Sequence, residues 1–111
     1  MATELSFGHM RLVEIARALA LRPTLLLMDE PASGLNDTET ERLAELIAHI
    51  AALGVTVLLV EHDMRVVMGL ADKVVVMHHG KKIADGPPDR IRVDPAVVAA
   101  YLGTEAYETA A

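Results

Sequence analysis

The sequence predicts an α/β fold built on a parallel sheet, and two observations carry that reading. Short, continuous apolar runs alternate along the chain with amphipathic helical segments, the element order of an α/β domain. The first two apolar runs, Leu25 to Met28 and Val55 to Val60, are separated by a helix-length segment. A crossover of that length makes the two strands parallel and their connection right-handed.

The elements follow in order. Ser6 caps a helix expected to reach about Leu21, with Leu12, Ile15, Ala16 and Leu19 at helical spacing, and Pro23 ends it. Leu25 to Met28 reads as a strand buried on both faces. After the loop Pro31 to Asn36, either Asn36 with Glu39 or Thr38 with Glu41 forms a capping box. The helix behind it runs to about Leu53 on a stripe of Leu43, Leu46, Ile47, Ile50 and Leu53, and Gly54 stops it. Val55 to Val60 is β-branched and apolar throughout, the clearest strand. A short helix from Met64 to Leu70 comes next, then a third strand, Val74 to His78. His79-Gly80 makes a tight hairpin turn into Lys81 to Asp85. Gly86-Pro87-Pro88 reads as a break; Asp94 caps a final helix with Pro95 at its first position, and Gly103 ends it. Residues 1–103 form one domain, and residues 104–111 are expected to be a disordered tail.

Composition bounds the function. A length of 111 residues fits one compact domain. Ten basic and 16 acidic residues leave a net charge of −6, which argues against a general nucleic-acid-binding surface. With 52% hydrophobic and 23% charged residues the chain is expected to fold. Aromatics are 3%, so the core is aliphatic, with Met28, Met64, Met68 and Met77 as gap-fillers. The absence of Cys excludes disulfides, thiolate metal sites and cysteine nucleophiles. The apolar runs fall far short of the roughly 20 residues of a spanning helix, and the start lacks a signal-peptide core. The expectation is a soluble, acidic, intracellular domain. His49 and the acidic stretch Asp37 to Glu45 read as solvated helix faces, and His78-His79 as exposed strand-end residues.

Parallel strands end at one sheet edge, where open α/β sheets bind ligands. Asp29 and Glu30 follow the first strand and His62 follows the second. Four apolar residues before Asp-Glu have the form of a Walker B element, in which the Asp holds Mg²⁺, usually through water, and the Glu acts on an attacking water.

Neighbouring motifs sharpen this. Leu5-Ser6-Phe7-Gly8-His9-Met10-Arg11, followed by Ile15-Ala16-Arg17-Ala18-Leu19, resembles the signature motif of ATP-binding cassette (ABC) ATPases and the helix behind it. A Ser and a Gly opening a helix offer a hydroxyl and N–H groups to an anion. Asp29-Glu30-Pro31 then Ser33-Gly34-Leu35-Asn36 resembles that family's Walker B and D-loop, and Glu61-His62-Asp63 its switch histidine. Glu14-Ile15-Ala16-Arg17, Glu61-His62-Asp63-Met64, Val67 to Asp72, and Asp94-Pro95 to Gly103 are similar to the ATPases of branched-chain amino acid importers. Phe7 and His9 depart from the broad pattern of Gly and Gln at those positions. The chain also contains no Gly-x-x-x-x-Gly-Lys-[Ser/Thr] phosphate loop, its lysines being Lys73, Lys81 and Lys82, and so looks like the C-terminal half of a cassette.

The resemblance implies a P-loop NTPase-like fold, a partial three-layer α/β arrangement. It implies ATP and Mg²⁺ as ligands, with Glu30 polarising the hydrolytic water, Asp29 holding Mg²⁺ and His62 contacting the γ-phosphate. Ser6 and Gly8 would cap nucleotide bound to a partner. The implied partners are a second ABC ATPase subunit and membrane permease subunits, and the implied location is cytoplasmic, peripheral on the inner face of the cell membrane. The implied function is the ATP-hydrolysing subunit of a branched-chain amino acid importer. The alternatives are a non-catalytic module completing a partner's ATP site in trans, or the ATPase of a urea or lipopolysaccharide transporter. ATPases of chromosome maintenance flank their halves with heptads, which this chain lacks. A cassette half would also leave Leu26, Met28, Val57 and Leu59 without a partner layer.

Overall fold

The computed structural model describes residues 7–102. The expectations placed on Ser6, on Gly103 and on the tail 104–111 lie outside the described residues. The chain divides into two compact units that meet in sequence between Leu70 and Ala71.

The first unit contains α1 (Phe7–Leu19), β1 (Leu25–Asp29), α2 (Asp37–Ala52), β2 (Thr56–Val60) and α3 (Met64–Leu70). Helix α1 stops two residues before Leu21, and the chain reverses through Arg22 at φ 52° before Pro23. Of the two possible capping boxes at α2, Asn36 with Glu39 forms. Glu39 N donates to Asn36 Oδ1 at 2.8 Å, and Asn36 N donates to Glu39 Oε1 at 3.2 Å. Strands β1 and β2 pair in parallel, from Leu25 opposite Thr56 to Asp29 opposite Val60. Glu30 N donates to Val60 O at 2.7 Å, so the pairing reaches Glu30 itself.

One core holds this unit together. Ile15 of α1, Leu26 and Met28 of β1, and Leu43, Ile47 and Ile50 of α2 are buried in it. Val57, Leu59, Leu46 and Leu70 pack against its margin. Burying each such aliphatic side chain contributes about 1.5–3 kcal/mol. Two expectations are corrected here. Strand β1 is covered on one face only: Leu26 and Met28 point into the core, while Leu25 and Leu27 are 51% and 66% exposed. The uncovered layer is therefore Leu25, Leu27, Leu58 and Val60, whereas Leu26, Met28, Val57 and Leu59 face the helices. Alternation along a strand decides this, because helices on a single face bury every second residue.

The second unit contains β3 (Val74–His78), β4 (Lys81–Gly86), α4 (Pro88–Arg92) and α5 (Pro95–Val97), which continues as a π-helical turn, Val98–Leu102. Strands β3 and β4 form an antiparallel hairpin. Its turn places His79 at φ 50° and Gly80 at φ 76°, the double left-handed turn that matches strand twist. Helix α4 replaces the expected break: Pro87 is its N-cap and Pro88 opens it, where a missing N–H costs no hydrogen bond. Asp94 caps α5 as expected, its Oδ1 accepting from Ala96 N at 2.9 Å. Val74, Val76, Ile91 and Val97 are buried. Met77 is 49% exposed and fills no gap. Its carbonyl instead accepts from the Tyr101 hydroxyl, and the Tyr101 ring meets His78 edge-on at 5.6 Å. Among the described residues, no helix is long and apolar enough to cross a membrane.

Candidate functional site at the carboxyl ends of the parallel strands

The register that aligns Asp29 with Val60 brings the next residues of both strands to one edge. There His62 Nδ1 lies 2.9 Å from Glu30 Oε1, across 32 residues of sequence. Glu30 turns out of the strand at φ 47°, a left-handed conformation uncommon for a side chain larger than Gly. The main chain is held there on both sides, by Glu30 N to Val60 O at 2.7 Å and by Ser33 N to Glu30 O at 3.1 Å. An ionised carboxylate only accepts, so Nδ1 carries the shared proton. Both side chains are open, His62 at 70% and Glu30 at 50% exposure. The hydrogen bond to Glu30, reinforced by the Glu30 charge and by the weaker fields of Glu61 and Asp63, raises the His62 pKa above its ordinary value.

Behind the pair sits Glu61, its side chain only 1% exposed. Its Oε2 accepts from Ala32 N at 3.2 Å, and its Oε1 accepts from His62 N at 3.1 Å and Asp63 N at 3.4 Å. Asp63 in turn opens α3, its Oδ1 accepting from Arg65 N at 3.1 Å. Burial pushes the Asp63 carboxyl up, but the side-chain and backbone hydrogen bonds from Arg65 outweigh it and hold the group below the usual range. Asp29 closes β1 and is exposed beside the pair.

Gly8 belongs to a different set of contacts. Its N–H donates to Glu39 Oε2 at 3.1 Å, so Glu39 caps α2 with one oxygen and the start of α1 with the other. A Cβ on Gly8 would collide with that same carboxylate oxygen, so any larger residue there makes the Glu39 side chain shift. Arg11 of α1 reaches Ser33 O at 3.5 Å, touching the loop that follows Glu30.

The structure thus brings Glu30 and His62 into contact with Asp29 adjacent, and ties Gly8 to α2. Two residues were missed as site elements. In the sequence Glu61 stands only as part of a motif, and Glu39 only as a helix cap. Position was the available signal for Glu61: it is the first residue past a strand whose partner ends beside it. For Glu39 there was none, because the Gly8 contact spans 31 residues. Chemically, the edge offers an exposed carboxylate that shares a proton with an imidazole, next to a second carboxylate. Such an edge can hold a water and take or return its proton.

Comparison with known proteins shows what the chain is similar to. The ABC transporter family profile matches residues 1–33. The branched-chain amino acid ATP-binding cassette transporter profile matches residues 81–107. The chain is 50% identical over 103 residues to the high-affinity branched-chain amino acid transport ATP-binding protein BraF of Pseudomonas aeruginosa, covering 92% of this chain and 40% of BraF. To LivG of Escherichia coli K12, a protein of the same description, it is 47% identical over 103 residues, with the same coverage. A crystal structure of an ATP-binding cassette of an ABC transporter in its ADP conformation superposes with a TM-score of 0.80 at 36% identity, over 90% of this chain and 41% of that one. The chain spans about two fifths of the length of the curated relatives it matches. Its fold is accordingly that of part of an ABC ATPase cassette, a P-loop NTPase fold. In sequence and in fold the chain is similar to the ATP-binding cassettes of ABC transporters, and among them to the branched-chain amino acid type.

Proposed function

We propose that this chain is the C-terminal portion, residues 1–103, of the ATP-binding subunit of a branched-chain amino acid importer, and that it supplies the water-activating side of an ATP site. The observation that carries the reading is the 2.9 Å contact between His62 and Glu30 at the carboxyl ends of two parallel strands. An acid positioned there can accept a proton from an attacking water, and the imidazole beside it can orient that acid or contact a terminal phosphate. Glu30 is the proton acceptor in this reading and His62 the phosphate contact.

The fit to Mg²⁺ and nucleotide is partial. Among the described residues no cluster of three His, Asp or Glu can hold a metal by itself. One carboxylate, Asp29, suits Mg²⁺, which keeps waters and takes further ligands from phosphates. Mg²⁺, when bound, supplies neutralisation of phosphate oxygens. Ser6 and Gly8 are proposed to contact nucleotide held by a second cassette subunit. Gly8 N–H donates to Glu39 Oε2 in this structure, so a nucleotide would have to take that N–H in place of the carboxylate. The proposed assembly is two ATP-binding subunits on membrane permease subunits, at the cytoplasmic face. The matched branched-chain transport proteins support this assignment of solute.

The test is ATP binding and hydrolysis by this chain alone and mixed with a polypeptide carrying a phosphate loop. Alone, the chain is expected to hydrolyse ATP at background rate, since it lacks the lysine and N–H cradle that stabilise the transferring phosphoryl group. In the mixture, hydrolysis should appear and be lost in Glu30→Gln while binding remains. Robust turnover by the lone chain, or no turnover in the mixture, overturns the reading.

A second reading is favoured by the Gly8 amide at the start of α1 together with a sequence that has no phosphate loop. In it the chain is a non-catalytic module that completes a partner cassette's site in trans. That reading predicts tighter ATP binding by an intact cassette on mixing, with no effect of Glu30→Gln in this chain.

A further inference from the structure

We propose that Glu61 is a positioning residue whose buried carboxylate clamps the loop after β1 to the loop after β2 and thereby holds His62 against Glu30. The inference deepens the nucleotide-site reading above and takes its functional meaning from it.

The two loops carry the pair but share no strand pairing beyond Glu30 N to Val60 O. Glu61 bridges them with separate oxygens. Oε2 accepts from Ala32 N, two residues past Glu30, while Oε1 accepts from His62 N and Asp63 N. With 1% of the side chain exposed, such a carboxylate is costly to bury, and charge-assisted bonds from three backbone amides offset that cost. The same amides fix the backbone of His62 at its own nitrogen, from which the ring reaches Glu30. Glu30 and His62 are themselves largely exposed, and an exposed pair alone holds its geometry weakly. Their approach therefore depends on the backbone beneath them, and past the Glu30 N to Val60 O bond Glu61 is the side chain that joins the two backbones.

The test follows the His62 ring nitrogens by NMR in the full 111-residue chain, together with amide exchange. Glu61→Gln replaces one accepting oxygen with an NH₂ group, so the side chain can no longer accept from both loops. The ring signals of Glu61→Gln should move toward those of Glu30→Gln, while β1 and β2 amides stay protected and unfolding stays cooperative at a modestly lowered Tm. Glu61 Oε1 also lies 3.6 Å from His62 Nδ1, so its charge acts weakly on the ring directly; in a Glu30→Gln background, adding Glu61→Gln should therefore move the ring much less than it does in the unmodified chain. The exposed control Glu45→Gln should leave the ring as in the unmodified chain.

Unchanged ring signals in Glu61→Gln overturn the proposal. So does an undiminished effect in the Glu30→Gln background, which would mean that Glu61 acts on the ring directly by its charge. Should Glu61→Gln fail to fold, the unmodified chain decides: slow exchange at Ala32 and His62 N–H supports the clamp, and exchange at the rate of open loops removes it. No nucleotide enters the experiment. Failure here removes the clamp alone, and failure of ATP binding removes the nucleotide reading alone.

Discussion

His62 and Glu30 lie 32 residues apart in sequence and 2.9 Å apart in space, joined from Nδ1 to Oε1 at the open edge of a parallel strand pair. Each follows the end of its own strand, and strand register is what makes them neighbours.

The first prediction concerns that contact and pH. The Glu30 hydrogen bond raises the His62 pKa in the folded chain. A raised pKa in a cationic acid means that the stabilisation is fully present below the unfolded value of about 6.5 and is lost as pH rises through the folded value. The Tm difference between the unmodified chain and Glu30→Gln should therefore be largest in mild acid, before other carboxylates protonate, and vanish above the folded pKa. NMR titration of His62 should show its midpoint falling in Glu30→Gln. An unchanged midpoint would mean the pair does not form in solution.

Gly8 supplies the second. Replacing an exposed helical glycine with Ala normally stabilises by roughly 0.5–1 kcal/mol. Here the new Cβ meets Glu39 and disrupts the 3.1 Å bond to Gly8 N. Gly8→Ala should give no such gain and should lose about 1 kcal/mol, the value of one hydrogen bond. Glu39→Ala should restore the usual Ala benefit at position 8 when the two are combined. Urea unfolding of the four chains measures this, and simple additivity would refute the coupling.

A third prediction separates two kinds of leucine. Leu43 is 2% exposed in the first unit's core, and Leu43→Ala should cost about 2–5 kcal/mol. Leu27 and Leu58 are 66% and 57% exposed on the uncovered face of β1 and β2. Leu27→Thr with Leu58→Thr should change stability by less than about 1 kcal/mol and reduce self-association, because an uncovered apolar layer drives it. Sedimentation velocity and denaturant melts of the same variants distinguish the two effects.

The capping box gives a fourth. Asn36→Ala removes the acceptor of Glu39 N and should cost about 1 kcal/mol. Asn36→Asp keeps an acceptor and adds negative charge at a helix N-terminus, so it should be neutral or slightly stabilising. Thermal melts at low salt resolve the pair of variants.

Local physics made much of this protein legible in its sequence. Apolar runs marked Leu25 to Met28 and Val55 to Val60 as strands, and two candidate capping boxes, one of them Asn36 with Glu39, announced the start of α2, because caps and periodicity act over a few residues. His79-Gly80 specified the hairpin in the same way. Even the placing of Glu30 and His62 at one sheet edge was accessible, since a parallel crossover carries both strand ends there, although their direct contact was not. Tertiary structure decided the rest. Which face of β1 the helices cover was undetermined by a run apolar on both sides, and packing placed Leu26 and Met28 inside and Leu25 and Leu27 outside. The Pro87-Pro88 segment read as a break because proline interrupts helices, yet proline also opens them, and in the structure it opens α4. Glu39 and Glu61 looked like a cap and a motif letter. Their remaining partners, Gly8 and Ala32, lie 31 and 29 residues away, and a hydrogen bond between distant segments exists only once the fold has brought them together.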